Sequence, residues 1–178
     1  MLPVYRGIHL IRDPRDIIIS GCFYHQKAEE KWLHSKKKKF GGLTYQEKIN
    51  SYSSIDEQIF FEMENTAAIT INDIREWDYN NSNFLEIKYE NLIEDNNLTL
   101  FYQMFAFLGF PEKLIPSLLE IAHKNSIFSG QVKKSIHVRS GKKNQWEEFL
   151  KEQHKKRFLE LFGAVSYTHL RAHETEAY

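Results

Sequence analysis

The residues that could bind an anion most directly lie between positions 11 and 20, in the stretch IRDPRDIIIS. The guanidinium of Arg12 matches phosphate geometry, because it can donate two parallel hydrogen bonds to two phosphate oxygens. Ser20 follows Asp13 by seven residues, close to two helical turns. A helix that begins at Asp13 would therefore carry the Ser20 hydroxyl on the side of the turn, about 10 Å further along. These residue types and this spacing indicate a phosphate site.

The elements expected around this stretch are a strand and a helix. The preceding segment VYRGIHLI is short, β-branched and aromatic, which is typical of a strand buried in a parallel sheet. Asp13 can cap a helix, Pro14 suits its first position, and Asp16 lies where a carboxylate reaches back to the cap. A strand that turns directly into a helix surrounds the turn with backbone N–H groups and the positive end of the helix dipole.

Ordinary salt bridges are the alternative interpretation of the same stretch. Arg12 and Arg15 would then pair with Asp13 and Asp16, and Ser20 would be an incidental helix serine. Taken alone, the stretch slightly favours these salt bridges, because short turns of arginine, aspartate and proline are common at helix starts.

The rest of the chain alternates helical and strand patterns. Residues 43–79 are compatible with one or two helices, and NFLEIKY predicts a second buried strand that ends at Tyr89. A helix with apolar residues at offsets of three, four and seven follows, and Gly109 closes it. A basic loop from Gly130 to Lys143 precedes a last helix. This order predicts an α/β architecture. The apolar residues of that last helix are Trp146, Phe149, Phe158, Leu161 and Phe162.

Composition narrows the classes of partner. The 178 residues suit one domain, and the 24 basic residues equal the 24 acidic ones, so no global field would attract nucleic acid. No apolar run approaches the roughly 20 residues that span a bilayer. The single cysteine, Cys22, suits a reducing compartment and is expected to fill the core. We expect a soluble protein with no nucleic-acid partner and no membrane segment in this chain.

The last fifteen residues, AVSYTHLRAHETEAY, break with the preceding pattern. They are similar to a translated adapter or cloning scar, so residues 164–178 are predicted to be a non-native or disordered tail, and residues 1–163 to form the domain. His169 and His173 are four residues apart, but a pair without a third ligand is weak evidence for a metal, and no metal is expected.

Three segments together resemble a known family. HLIRDPRDIIIS resembles the strand, turn and helix signature of sulfotransferases that use 3'-phosphoadenosine 5'-phosphosulfate (PAPS). IKYENLIED is similar to the family's strand ending in Tyr-Glu-Asp-Leu, with Asn91 in place of the usual aspartate. HVRSGKKNQWEEF is similar to its late loop before a tryptophan-led helix.

The resemblance implies a set of donor-binding residues. Arg12 and Ser20 would bind the 3'-phosphate of PAPS, and Tyr89 would lie near the bound nucleotide. The segment Arg139, Ser140 and Gly141 would close over the 3'-phosphate, and Trp146 would have a packing role. Two departures concern this loop: Ser140 stands where many members have lysine, and Asn144-Gln145 where Gly-Asp or Gly-Gln is usual.

The resemblance also implies a fold and a reaction. The fold would be a P-loop-NTPase-like three-layer α/β/α arrangement around a parallel sheet, incomplete at the N-terminus and helix-rich. The activity would be transfer of a sulfuryl group from PAPS, as co-substrate, to a hydroxyl or amine of a small-molecule or glycan acceptor. The expected location is cytoplasmic. The acceptor and the oligomeric state stay open.

The family's phosphosulfate loop, its lysine and its histidine base all precede the Arg-Asp-Pro-Arg turn. Only eleven residues precede Arg12 here, so we expect a C-terminal fragment with negligible transfer activity and an uncovered strand edge. No catalytic residue is assigned within the chain. His25 and His34 are expected on a helix and at its end.

Two other functions fit part of the pattern. A nucleotide-binding, kinase-like protein would share the strand-to-helix anion site, although the sequence has no G-x-x-x-x-G-K-[ST] loop. A non-catalytic phosphate-binding module is suggested by the basic runs at 36–39 and 133–143. The first run adjoins Gly41-Gly42 and is more typical of a solvated surface loop.

Overall fold

The computed structural model describes residues 5–130 and 141–163. These residues form two compact units: a sheet unit of residues 5–12, 78–130 and 141–143, and a helical unit of residues 13–77 and 144–163. In chain order the strands and α-helices are β1 (Gly7–Ile11), α1 (Pro14–His25), α2 (Tyr45–Asn50), α3 (Ile55–Glu64), α4 (Thr66–Glu76), β2 (Phe84–Lys88), α5 (Tyr89–Leu92), α6 (Thr99–Phe107), α7 (Ile115–Asn125), α8 (Trp146–Phe149) and α9 (Glu152–Phe162).

Both predicted strands are present in the sheet unit. β1 and β2 pair in parallel, in register from Gly7 with Phe84 to Ile11 with Lys88. Ile11 is buried, whereas Leu10 is 49% exposed, so the prediction of a wholly buried β1 is wrong. The physical reason is that alternate side chains of a strand point to opposite faces, and among the described residues β1 pairs with β2 alone.

The helices of the sheet unit follow β2. The buried carboxylate of Asp95 accepts hydrogen bonds from the backbone N–H groups of Leu100 and Phe101, at 2.9 and 3.3 Å, and thereby caps the first turn of α6. α6 packs against β2 and α7. Gly109 follows α6 with φ +81°, as a helix-terminating glycine does.

The helical unit is built around α1. As predicted, Asp13 caps α1 by accepting from the N–H of Arg15 at 2.8 Å, and Pro14 is its first residue. α1 packs against α2, α3, α4 and α8, and α9 packs against α3. The predicted core role of Cys22 is confirmed, since it is fully buried. The apolar core of this unit is Ile18, Ile19, Cys22, Ala28, Leu33, Tyr45, Ile49, Ile59, Phe61, Met63, Ala67, Ile71, Leu150, Phe158 and Phe162.

Two expectations about helix number are wrong. Residues 43–79 form α2, α3 and α4 rather than one or two helices, because capping boxes start α2 at Thr44 with Glu47 and α3 at Ser54 with Glu57. The predicted last helix is divided into α8 and α9, because Leu150 adopts an extended conformation and His154 Nδ1 accepts the backbone N–H of Lys151.

The described chain is mostly helical with a small parallel sheet, which is compatible with the predicted α/β class. Over residues 5–130 and 141–163, no helix combines the length and the apolar character that crossing a bilayer requires.

Candidate functional site

The carboxyl ends of β1 and β2 bring Arg12 and Tyr89 together. Ile11 pairs with Lys88 at the end of the ladder, so the next residue of each strand leaves the sheet at the same edge. The guanidinium carbon of Arg12 lies 4.5 Å from the centroid of the Tyr89 ring. Both side chains are partly buried. We call these two residues the strand-end pair.

The strand-end pair has the chemistry of an oxyanion site. An aromatic ring attracts a guanidinium through its face, and this contact restricts the flexible arginine side chain. The N–H bonds of a guanidinium lie in its plane, so contact through the face is compatible with two hydrogen bonds to a phosphate. The carboxyl ends of parallel strands are also where ligands bind in α/β sheets.

Arg15, in the first turn of α1, has different partners from those of Arg12. Arg15 donates from Nε to Asp13 Oδ1 at 2.9 Å and from Nη2 to Oδ2 at 2.5 Å, and its guanidinium lies 3.6 Å from the Trp146 ring centroid. The salt-bridge interpretation is therefore confirmed for Arg15 with Asp13. We call Asp13, Arg15, Asp16 and Trp146 the helix-start cluster.

Asp16 makes a contact in this cluster that its place in the sequence did not predict. Its carboxylate is predicted to reach back to the cap of α1, and the structure shows that Oδ1 also accepts the backbone N–H of Trp146 at 3.0 Å. Asp16 is fully buried, so this bond ties α8 to the start of α1. The predicted packing role of Trp146 is confirmed by its contacts with the core and with Arg15.

Ser20 lies on α1 of the helical unit, partly buried. Within the described residues its hydroxyl makes no hydrogen bond. A partly exposed hydroxyl that makes no hydrogen bond within the protein can donate one to a bound anion and still accept one from water.

The predicted late loop is described only in part. Arg139 and Ser140 lie outside the described residues. Gly141 adopts φ +60°, a left-handed conformation that favours glycine, and an added Cβ would meet only ordinary contact with Ile127 at 3.9 Å. Backbone conformation rather than space therefore accounts for glycine at this position. Lys143 forms an ion pair with Glu94 at 2.5 Å.

The structure also shows a polar group in the helical unit that the sequence did not predict. His25 Nδ1 lies 2.9 Å from Glu62 Oε2, and Tyr45 donates its hydroxyl to the same oxygen at 2.8 Å. All three side chains are buried. Burial and the Glu62 carboxylate raise the pKa of Tyr45 far above its usual value, which keeps its hydroxyl protonated as a donor. We call these residues the buried trio.

The local sequence around the buried trio gave little signal for it. His25 was correctly expected in a helix and ends α1, but its partner is 37 residues away. The one usable sign was Gly21, four residues before His25 on the same helix face. A Cβ on Gly21 would lie 2.6 Å from Glu62 Oε1, so only glycine leaves room for this carboxylate against α1.

A second buried histidine has a structural role. His154 is fully buried, its Nδ1 accepts from the Lys151 N–H at 3.1 Å, and its Nε2 lies 3.3 Å from the Asp56 carbonyl oxygen. Burial lowers the pKa of His154. The neutral ring, with Nε2–H donating and Nδ1 accepting, fits both partners.

Metal ligation finds little support in the described part of the chain. There, no three His, Cys, Asp or Glu side chains come together in a way that could hold a metal ion. His169 and His173 lie outside it.

Comparison with protein families gives one match. A family model described as a sulfotransferase domain matches residues 2–171 of the chain. No curated protein and no solved structure matches the chain.

Proposed function

The chain belongs to the sulfotransferase domain family, and from that premise we propose that it supplies the 3'-phosphate site for PAPS in a reaction that transfers the sulfuryl group to a hydroxyl or amine acceptor, while the chain alone has negligible transfer activity. The single observation that carries the donor assignment is the strand-end pair. Arg12 is the residue that the family resemblance assigns to the 3'-phosphate, and its guanidinium lies over the ring of Tyr89, the residue assigned to the neighbourhood of the nucleotide.

Each site residue has a proposed task. Arg12 donates two hydrogen bonds to the 3'-phosphate, and Tyr89 holds the guanidinium in position. The family resemblance assigns the Ser20 hydroxyl to the same 3'-phosphate as a neutral donor. Arg139, Ser140 and the backbone of Gly141 close over the same phosphate, where N–H groups beside a left-handed glycine suit an oxyanion.

The reaction would be an in-line displacement. The acceptor oxygen or nitrogen attacks the sulfur of PAPS and gives its proton to the histidine base that the family resemblance implies, and adenosine 3',5'-bisphosphate leaves with the electron pair of the broken S–O bond. Cationic and backbone donors stabilise the charge of the moving group and need no metal. The three-layer fold, a small-molecule or glycan acceptor and a cytoplasmic location belong to this proposal as predictions.

Binding of the donor product tests the proposal most directly. Adenosine 3',5'-bisphosphate and adenosine 5'-monophosphate differ only in the 3'-phosphate, so calorimetric titration of the full chain with both isolates that group. We expect clear preference for the bisphosphate. Arg12→Ala should weaken its binding about tenfold to a hundredfold, the loss expected for charge-assisted hydrogen bonds, and should leave the monophosphate unaffected.

Arg6→Ala is the matched control. Arg6 belongs to the same unit, lies over the Phe107 ring at 5.5 Å and is exposed, so its removal deletes the same charge away from the strand ends. Equal affinity for the two nucleotides, or equal losses in the two arginine variants, would contradict the proposal. Tighter binding of ATP than of the bisphosphate would instead support a kinase-like protein.

The phosphate-binding module is tested by the lysine run. Lys36, Lys38 and Lys39 are exposed, as expected for a surface loop. Reversal of these three charges to glutamate should leave bisphosphate affinity nearly unchanged. A loss as large as that of Arg12→Ala would favour the module.

A further inference from the structure

One surface loop of the helical unit concentrates positive charge. Residues 31–43, which we call the lysine loop, contain five lysines and no acidic residue. All 24 acidic residues of the chain therefore lie elsewhere, although the chain as a whole has no net charge. Four of the five lysines are exposed, and among the described residues none of the five forms an ion pair. The loop is thus a local source of positive potential on a neutral protein.

The two glutamates that flank the lysine loop have other partners. Glu30 accepts a hydrogen bond from the Tyr24 hydroxyl. Glu47 accepts the backbone N–H of Thr44 at 2.7 Å, in the capping box that starts α2. Both carboxylates serve the local fold, so the lysines remain available to a partner outside the chain.

The lysine loop has a fixed backbone. The N–H of Lys37 donates to the carbonyl oxygen of Leu43 at 3.0 Å, and the N–H of Gly42 donates back to that of Lys37 at 3.1 Å, which closes the loop. The ring of Phe40 packs against Tyr45, with the centroids 5.9 Å apart. A loop that is ordered before it meets a partner loses little conformational entropy on binding.

Exposed apolar side chains accompany the lysines. Trp32 is 40% exposed and Leu43 is 37% exposed. The Trp32 ring packs 5.3 Å from the ring of Tyr45, which is also the ring that Phe40 contacts, so the two ends of the loop meet there. A single exposed apolar residue is ordinary on a protein surface. Here two of them belong to the same small loop as a run of lysines.

This combination of side chains matches the surface of an anionic bilayer. Lysines are attracted to anionic headgroups, tryptophan prefers the interface between headgroups and acyl chains, and binding grows with both contributions. The loop contains no arginine, whose planar fork suits the individual phosphates of a nucleic acid. The observations therefore favour a lipid surface over a nucleic acid.

We propose that the lysine loop binds the surface of an anionic lipid bilayer, with its lysines at the headgroups and with Trp32 and Leu43 at the interface. The attachment is to the surface of the membrane only. It is independent of the proposed sulfuryl transfer, and it fits the predicted cytoplasmic location, because the cytoplasmic leaflet carries the anionic lipids.

Vesicles of two compositions test the proposal on the full chain. One set contains phosphatidylcholine and phosphatidylserine in equal parts, and the other contains phosphatidylcholine alone. Flotation measures binding, because it separates vesicle-bound chain from any aggregate. We expect binding to the mixed vesicles to be at least about tenfold tighter and to weaken when salt is added, since salt screens the attraction. Equal binding to both sets, or none to the mixed vesicles, would overturn the proposal.

A double variant tests the charge of the loop. Lys36→Gln with Lys38→Gln should weaken binding to the mixed vesicles about 25-fold, because each lysine near an anionic surface contributes about fivefold. Lys113→Gln with Lys156→Gln is the matched control, since it removes the same charge from exposed lysines elsewhere and should have little effect. Equal losses in the two double variants would contradict a role for this loop.

Single variants test the apolar contact. Leu43→Ser and Trp32→Ala should each weaken binding to the mixed vesicles about threefold to tenfold, as expected for part of an apolar side chain leaving the interface. Ile69→Ser, which alters a more exposed apolar residue of α4, is the control and should bind as the wild type does. Leu43 lies at the surface, so its variant stays informative if Trp32→Ala fails to fold. Unchanged affinity in the Leu43 variant would overturn the interfacial contact.

A nucleic-acid partner is the alternative that the same variants can reveal. Single-stranded RNA is titrated in parallel with the vesicles. Binding of RNA that is lost in the Lys36 and Lys38 double variant, without binding to the mixed vesicles, would overturn the proposal in favour of a nucleic-acid site. Binding to the mixed vesicles without binding to RNA would support the lipid surface.

Discussion

In the sheet unit, Arg12 lies partly exposed at the end of a strand, over the ring of Tyr89. In the helical unit, Asp16 and Glu62 are almost fully buried, and each accepts a hydrogen bond from a residue distant in sequence. A buried carboxylate without its partners is strongly destabilising, whereas a cation at the edge of a sheet is well placed for an outside ligand. The comparison shows that these buried charges hold the fold of the helical unit together, whereas the charge of Arg12 in the sheet unit is one that we propose binds a ligand.

The largest expected effect is on the stability of the helical unit. Glu62→Ala leaves the donors of His25 and Tyr45 without their acceptor, and should lower the free energy of unfolding by about 3–5 kcal/mol. Urea unfolding measures this loss. Glu64→Ala, on the same helix, is the control: Glu64 pairs with Arg157 at the surface, and its loss should cost within about 1 kcal/mol. Similar losses in both variants would contradict a structural role for the buried trio.

The second largest effect on the free energy of unfolding is expected for Arg15→Ala. It removes a close pair with Asp13 and the contact with the Trp146 ring, and should lower the free energy of unfolding by about 2 kcal/mol. Its affinity for adenosine 3',5'-bisphosphate should equal that of the wild type, measured by calorimetry on the folded fraction. A loss of affinity comparable to that of Arg12→Ala would erase the distinction between the two arginines.

Tyr89→Leu should affect binding more than stability. Loss of the ring releases Arg12 and should weaken bisphosphate binding about fivefold, equivalent to about 1 kcal/mol for a cation–π contact. Tyr89→Phe keeps the ring and should bind as the wild type does. If the phenylalanine variant loses as much affinity as the leucine variant, the hydroxyl rather than the ring face is what matters.

The smallest effect is a pH dependence from His154. Its pKa is lowered by burial, so the unfolded chain takes up a proton more readily than the folded one. The stability contributed by the neutral ring is present above the unfolded pKa of about 6.5 and is lost as pH falls below it. Thermal unfolding from neutral to mildly acidic pH measures this slope.

His154→Gln removes the titrating group and should flatten the pH slope relative to wild type. His34→Gln, which removes an exposed histidine, should retain it. Parallel slopes in wild type and His154→Gln would show that His154 does not titrate between the two states.

What the sequence predicted well depended on neighbours in the chain. Asp13 and Pro14 predict the start of α1. The two strand patterns predict that Arg12 and Tyr89 leave a parallel sheet at the same edge. Local propensities and the geometry of parallel strands suffice for these features.

What the sequence could not predict depends on distant pairing. The local pattern around Asp16 predicts a capping carboxylate and gives no sign of its hydrogen bond with the backbone N–H of Trp146, 130 residues away. Glu62 and His25 show no shared local pattern. The division of residues 43–79 was predictable in principle, because Thr44 with Glu47 and Ser54 with Glu57 have the spacing of capping boxes.

The helical unit is discontinuous in sequence, because residues 78–143 of the sheet unit separate its two segments. Leu150, Phe158 and Phe162 belong to the same apolar core as Ile59 and Met63. At roughly 5–20 residues per second, a ribosome needs about 3–13 seconds to synthesise the intervening stretch. During that interval the apolar side chains of this core are only partly covered in the nascent chain, so the need for chaperones should be greatest late in translation.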